Sequence, residues 1–194
     1  MGWTSYRATH YKPNGTVDKK AECDAYFMEG LNRGHFEVLK SVMKGNTYYA
    51  AIQDKVRHIE NDIYEPIENG TVWAAVFLVS IDNKDYYNFA YKDMDETCGP
   101  CCYDCPSSIL KLLSPTENEY ALQWRQKCIE KQSKPKLSAL PIGTHIKFTT
   151  WNGEEKRVYK HPAGYQFKRP FWMLEDGSGY INSKHIADNW VVID

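Results

Sequence analysis

The chain has 194 residues, 42% hydrophobic and 25% charged, with a formal net charge of −1. This is the balance of a folded soluble protein, long enough for one medium domain or a medium and a small one. So small a net charge commits the whole chain electrostatically to neither nucleic acid nor membrane. Charge is uneven along the chain: residues 134–194 carry 9 Lys and Arg against 6 Asp and Glu, while residues 1–133 carry 15 against 19. Aromatic content is high at 14%, with 14 Tyr and 6 Trp. Such residues fill cores and are also favoured at contact surfaces. The start, MGWTSYRATHY, has no basic stretch followed by an apolar run, and the longest apolar run, Val72 to Val79, fits one buried strand. A cytoplasmic location with reduced cysteines is the expectation.

In chain order, Trp3 to Thr9 reads as a strand and Lys12-Pro13-Asn14-Gly15 as a turn. Thr16 or Asp18 can cap a helix with Val17, Ala21, Ala25 and Met28 on one face. Phe36 to Met43 and Thr47 to Ile52 form a hairpin across Lys44-Gly45-Asn46. Gln53 to Gly70 is polar and shows no clear period. Val72 to Ile81 is apolar on both faces, the mark of a central strand. A short polar turn, Asp82-Asn83-Lys84-Asp85, leads into Tyr86 to Tyr91, so these two strands pair antiparallel. Pro106 opens a short helix carrying Ile109, Leu110, Leu112 and Leu113. Thr116 with Glu119 forms a capping box for a second helix, its inner stripe being Tyr120, Ala121, Trp124 and Cys128.

Ser133-Lys134-Pro135-Lys136 reads as a linker. After it come short predicted strands at 145–150, 156–160, 165–168, 171–174, 179–182 and 190–193, with turn residues between them. The expected architecture is α+β: an antiparallel sheet with packed helices over residues 1–133, then a small SH3-like β-barrel over 134–194.

Chemistry concentrates in two places. Cys98-Gly99-Pro100-Cys101 has the spacing of thioredoxin-type redox motifs, without the βαβ setting that supports that reading. Cys98, Cys101, Cys102 and Cys105 form two abutting CxxC pairs whose thiolates suit zinc; abutting pairs argue against it, and no cofactor is the expectation. Cys105, just before Pro106, is the candidate nucleophile if it caps the short helix. Asp93, Asp95, Glu96 and Asp104 make an acidic loop that could hold Mg²⁺ or Ca²⁺, do acid–base work, or pair with Lys92 and Arg125, although the spacing matches no calcium loop. Downstream, Trp151, Lys156, Arg157, Lys160, Lys168, Arg169 and Trp172 interleave basic and aromatic residues, as a surface for single-stranded nucleic acid or peptide would.

Two runs carry a resemblance: Met1-Gly2-Trp3-Thr4-Ser5-Tyr6, and Tyr91-Lys92-Asp93-Met94-Asp95-Glu96 continuing through Tyr103-Asp104-Cys105-Pro106 to Pro115-Thr116-Glu117-Asn118-Glu119-Tyr120-Ala121. Over most of residues 1–133 the chain resembles a family of uncharacterised phage, plasmid and conjugative-element proteins of Gram-positive and gut bacteria, labelled only as a domain of unknown function. The resemblance supplies no catalytic residues. It implies an accessory role for a mobile genetic element, such as counter-defence or regulation of a host or element protein. The aromatic richness, the charge split and the lack of a coherent catalytic set favour action by binding such a protein, with the acidic loop and cysteine turn as one surface and the basic residues of 134–194 as another. The alternatives are a small enzyme acting on a nucleotide or nucleic acid, and a nucleic-acid-binding protein acting through residues 134–194. No membrane partner is expected.

Overall fold

The structure, a computed structural model, describes residues 2–30, 33–61, 63–82, 88–164 and 167–193. The expected turn at 83–85, the strand start at 86–87 and the strand residues 165–166 lie outside the described residues. The chain divides into two compact units, Met1–Ser133 and Lys134–Asp194.

The first unit is built on one antiparallel sheet. Its strands are β1 (Trp3–Arg7), β2 (Phe36–Lys44), β3 (Thr47–Asp54), β6 (Val72–Ile81) and β7 (Asn88–Asp95), in the order β1-β7-β6-β3-β2. Between β3 and β6 lies a separate two-stranded ribbon, β4 (Val56–Glu60) with β5 (Ile63–Pro66). The central strands β3 and β6 are buried on both faces, which is why β6 reads as an unbroken apolar run rather than an alternation. Ala75, Phe77 and Val79 point to one side, where Cys23 and Phe27 of helix α1 (Lys19–Met28) close a core with Tyr48, Phe89 and Tyr91. Ala74 and Val76 point to the other. There, Ile109 of the single-turn helix α2 (Ser107–Leu110) and Trp124 and Cys128 of α3 (Glu119–Ser133) complete the second core.

The helix faces differ in part from expectation. Asp18 caps α1, accepting from the backbone of Lys20 and Ala21, but Met28 is exposed; Glu22, Cys23 and Phe27 are the buried residues. The cap of α3 is Asn118, whose Oδ1 accepts from Ala121 N at 2.9 Å, while Thr116 Oγ1 only orients Asn118 N at 3.2 Å. Tyr120 stands exposed, outside the buried stripe of Ala121, Trp124 and Cys128.

The second unit holds β8 (His145–Thr149), β9 (Glu155–His161), β10 (Phe171–Leu174), β11 (Tyr180–Ile181) and β12 (Val191–Ile193), in the order β11-β10-β9-β8-β12. Its core is Ile146, Phe148, Val158, Trp172, Ile186 and Trp190.

Two expectations about the class are corrected. The chain is mostly β, 41% strand against 21% helix, in three antiparallel sheets, so the α+β description with packed helices does not fit. Strand gains where no period was legible, because residues 53–70 supply the end of β3 and the whole ribbon, whereas among the described residues helix comprises three α-helices, one of them four residues long, and short 3-10 turns. Nor is there a closed barrel: β11 and β12 stand at opposite edges of an open sheet, unpaired with each other among the described residues, so the SH3-like expectation fails on closure.

Candidate functional site

The cysteine and acid run does not assemble into one reacting centre. Asp93 and Asp95 lie on β7 rather than in a loop, on the face of Phe89 and Tyr91. Asp93 is half-buried and lines a small cleft of about 220 Å³ with Tyr26, Phe27, Phe36 and Trp73. Asp95 caps the 3-10 turn Glu96–Cys98: its Oδ1 accepts from Thr97 N at 2.8 Å, from Cys98 N at 3.1 Å and from the Thr97 hydroxyl. Glu96 turns inward and is buried. Arg125 of α3 holds it with two parallel bonds, Nε at 2.6 Å and Nη2 at 2.8 Å, and Ala74 N donates to it at 3.2 Å. The third guanidinium nitrogen, Nη1, donates to Ser114 O at 2.8 Å. This carboxylate therefore ties α3 to the central strand.

Cys105 is fully buried in the core formed with Tyr49, Ile109, Trp124 and Cys128, a group without a histidine. Burial pushes its thiol well above the ordinary range, with the neighbouring Cys128 acting in the same direction. Pro106, not Cys105, is the N-cap of α2, and a helix of one turn offers little dipole. A nucleophile needs a thiolate and a base at hand; Cys105 has the environment of a packed hydrophobe. Cys98 and Cys101 are exposed and Cys102 is half-buried. Cys98 ends a 3-10 turn with Gly99 at φ +64° instead of opening a helix, which is contrary to the thioredoxin arrangement. The four cysteines thus point to different environments, and among the described residues no three His, Cys, Asp or Glu side chains are gathered to hold a metal ion.

In the second unit the predicted binding set also divides. Trp172 packs in the core. Lys160 is buried, its Nζ donating to the carbonyls of Ser138 at 2.8 Å, Leu137 at 3.4 Å and Leu140, so it anchors the segment before β8. Trp151 is 98% exposed at the tip of the β8–β9 turn. With Lys156, Tyr180 and His185 it borders a cleft of about 780 Å³. Arg157, Lys168 and Arg169 are exposed.

Two features escaped the reading of the sequence. The first is a row of rings on the outward face of the second sheet. Register places His145, Tyr159, Met173 and Tyr180 side by side on four neighbouring strands, with His161 and Phe171 beside them. Ring centroids lie 5.5 Å apart for His145 and Tyr159, 4.9 Å for His161 and Phe171, and 4.3 Å for Phe167 and Phe171. The signal was present as alternation in His145-Ile146-Lys147-Phe148 and Tyr159-Lys160-His161, but register was needed to align it. The second is the β4–β5 ribbon. One residue separates it from the end of β3, its two strands pair with each other in a sheet of their own, and Ile59 (52%), Ile63 (56%) and Tyr64 (42%) are all exposed on it.

Residues 115–151 match the model of a domain of unknown function (DUF6927). The DUF6927 match takes in α3 with its cap, the connection after it and β8, and it ends at the exposed Trp151. It thus overlaps only the end of the runs that carried the resemblance. No curated protein and no solved structure matches the chain. No helix among the described residues is long and apolar enough to cross a membrane.

Proposed function

We propose that the protein works by binding, as an accessory protein of a mobile genetic element, and that its target is a host or element protein held by the β4–β5 ribbon. One observation carries the reading. The ribbon places two isoleucines and a tyrosine in water on an element that does not join the main sheet. Two-stranded hairpins are marginal by themselves in water, and exposed apolar clusters on a small element mark contact sites. Its ladder is short, with an irregularity between His58 and Glu60, and the ring of Tyr64 leans on His35 at 4.4 Å and on His58 at 5.3 Å. A partner with a shallow apolar face would cover Ile59 and Ile63 and complete the element.

The state of the catalytic candidates supports the same reading. Cys105 is sealed in the core, Glu96 is engaged by Arg125, and Asp95 caps a turn. An enzyme built on Cys105 or Glu96 would have to break contacts that hold the first unit together. The resemblance of residues 1–133 to mobile-element proteins supports the accessory role.

The test is affinity capture from a bacterial host with the tagged full-length chain and with Ile59→Ser/Ile63→Ser. The expected result is one stoichiometric protein with the wild type and its loss with the folded double variant. Equal recovery by both, or none by either, overturns the reading.

A further inference from the structure

We propose that the outward face of the sheet β12-β8-β9-β10-β11 is a stacking platform for single-stranded nucleic acid. This does not rest on the ribbon reading; it concerns the other unit.

Strands alternate their side chains, and Ile146, Phe148, Val158 and Trp172 take the inner face. Their neighbours must then face out: His145 on β8, Tyr159 and His161 on β9, Phe171 and Met173 on β10, and Tyr180 on β11. An outward face is ordinarily polar. Here it carries rings in mutual contact from β8 to β11, Tyr159 donating its hydroxyl to Met173 Sδ at 3.0 Å and Phe167 resting on both Phe171 and Tyr180. None of these rings is buried, and Tyr180 is 60% exposed. At the usual strand spacing four strands span about 14 Å, enough for a few unstacked bases.

Charge decides the occupant. Lys147 and Arg157 stand in the row beside the rings, and Lys168, Arg169 and Lys184 are exposed near Phe167 and Tyr180. The carboxylates on this face are already engaged: Glu155 by Lys147 at 3.2 Å and by Arg157 at 3.3 Å, Glu175 by His145. The Lys147 and Arg157 contacts hold the Glu155 carboxyl below its ordinary range, so it stays a paired anion. An excess of cations around accessible rings complements bases joined by phosphates: rings stack on bases without sequence demand, and Lys and Arg take the backbone. A rigid duplex hides its base faces and would gain only the charge term.

The experiment is fluorescence anisotropy of labelled 12-mers of thymidylate and uridylate, and of a duplex DNA 12-mer, with the full-length protein at 50 mM and 200 mM salt. We expect the single strands to bind, the duplex to bind at least tenfold more weakly, and affinity to fall steeply with salt. Tyr159→Ala and Phe171→Ala should each weaken single-strand binding about tenfold. Should either variant fold poorly, Lys168→Glu/Arg169→Glu touches only exposed side chains and should weaken binding at least as much. Absence of single-strand binding at 50 mM salt overturns the proposal, as does equal affinity for the duplex or indifference to these substitutions. If the ring face instead holds a protein, capture from lysate will depend on Tyr159 and Phe171 while no strand binds; that also overturns it.

Discussion

Glu96 and Arg125 show how a residue that reads as catalytic can be structural. The carboxylate is 2% exposed and receives three bonds, two of them from a planar guanidinium matched to it. Removing one partner strands a charge in the interior, which typically costs about 3–5 kcal/mol. Arg125→Ala is therefore expected to lower the unfolding free energy by about 3 kcal/mol in urea titration; a loss under about 1 kcal/mol would mean that Glu96 is solvated after all. The thiols make a second case. Cys98 and Cys101 face water, while Cys23, Cys105 and Cys128 are fully buried, with burial pushing Cys128 up to about 11. Native labelling with iodoacetamide at pH 8, read by peptide mass, should modify Cys98 and Cys101 rapidly and leave these three until the protein is denatured. Prompt labelling of Cys105 would reopen the nucleophile reading.

At the scale of elements, what could be read from the residues followed local chemistry. Asp18 before α1 and the apolar run of β6 are local statements, and both hold. The start of α3 was legible as a region but not to the residue: Thr116, Asn118 and Glu119 all suit a cap, and which one takes it depends on where the chain leaves Ser114, itself bonded to Val72 by N to O at 2.8 Å. Asn118→Ala should cost about 1 kcal/mol, seen as a drop in Tm of a few degrees, whereas Thr116→Ala should cost clearly less. The reverse ranking would restore Thr116 as the cap. The ribbon and the ring row were not legible, because both depend on pairing across strands. Residues 53–70 have no period to read, and the six outward side chains of the second sheet become one surface only when His145 is set opposite Tyr159 and Phe171 opposite His161.

For the whole molecule, the strand-rich class emerges from the same cause. The three expected helices form, and the class is mostly β because residues 53–70 add strand that shows no period, while closure into a barrel fails because β11 and β12 stand at opposite edges of an open sheet. Two units with different surfaces result: one presents an apolar ribbon, the other exposed rings with basic residues. Of the cysteine turn, Cys105 is buried in the first unit's core, while Cys98 and Cys101 face water. The proposed function places binding on exposed surfaces and not at Cys105. Its most direct test is a parallel capture from the bacterial host with full-length wild type, Cys105→Ala and Ile59→Ser/Ile63→Ser, each checked for folding by circular dichroism. Retention of the partner by Cys105→Ala and its loss by the ribbon variant is the predicted result. Loss of the partner by folded Cys105→Ala, with the ribbon variant unaffected, would contradict it.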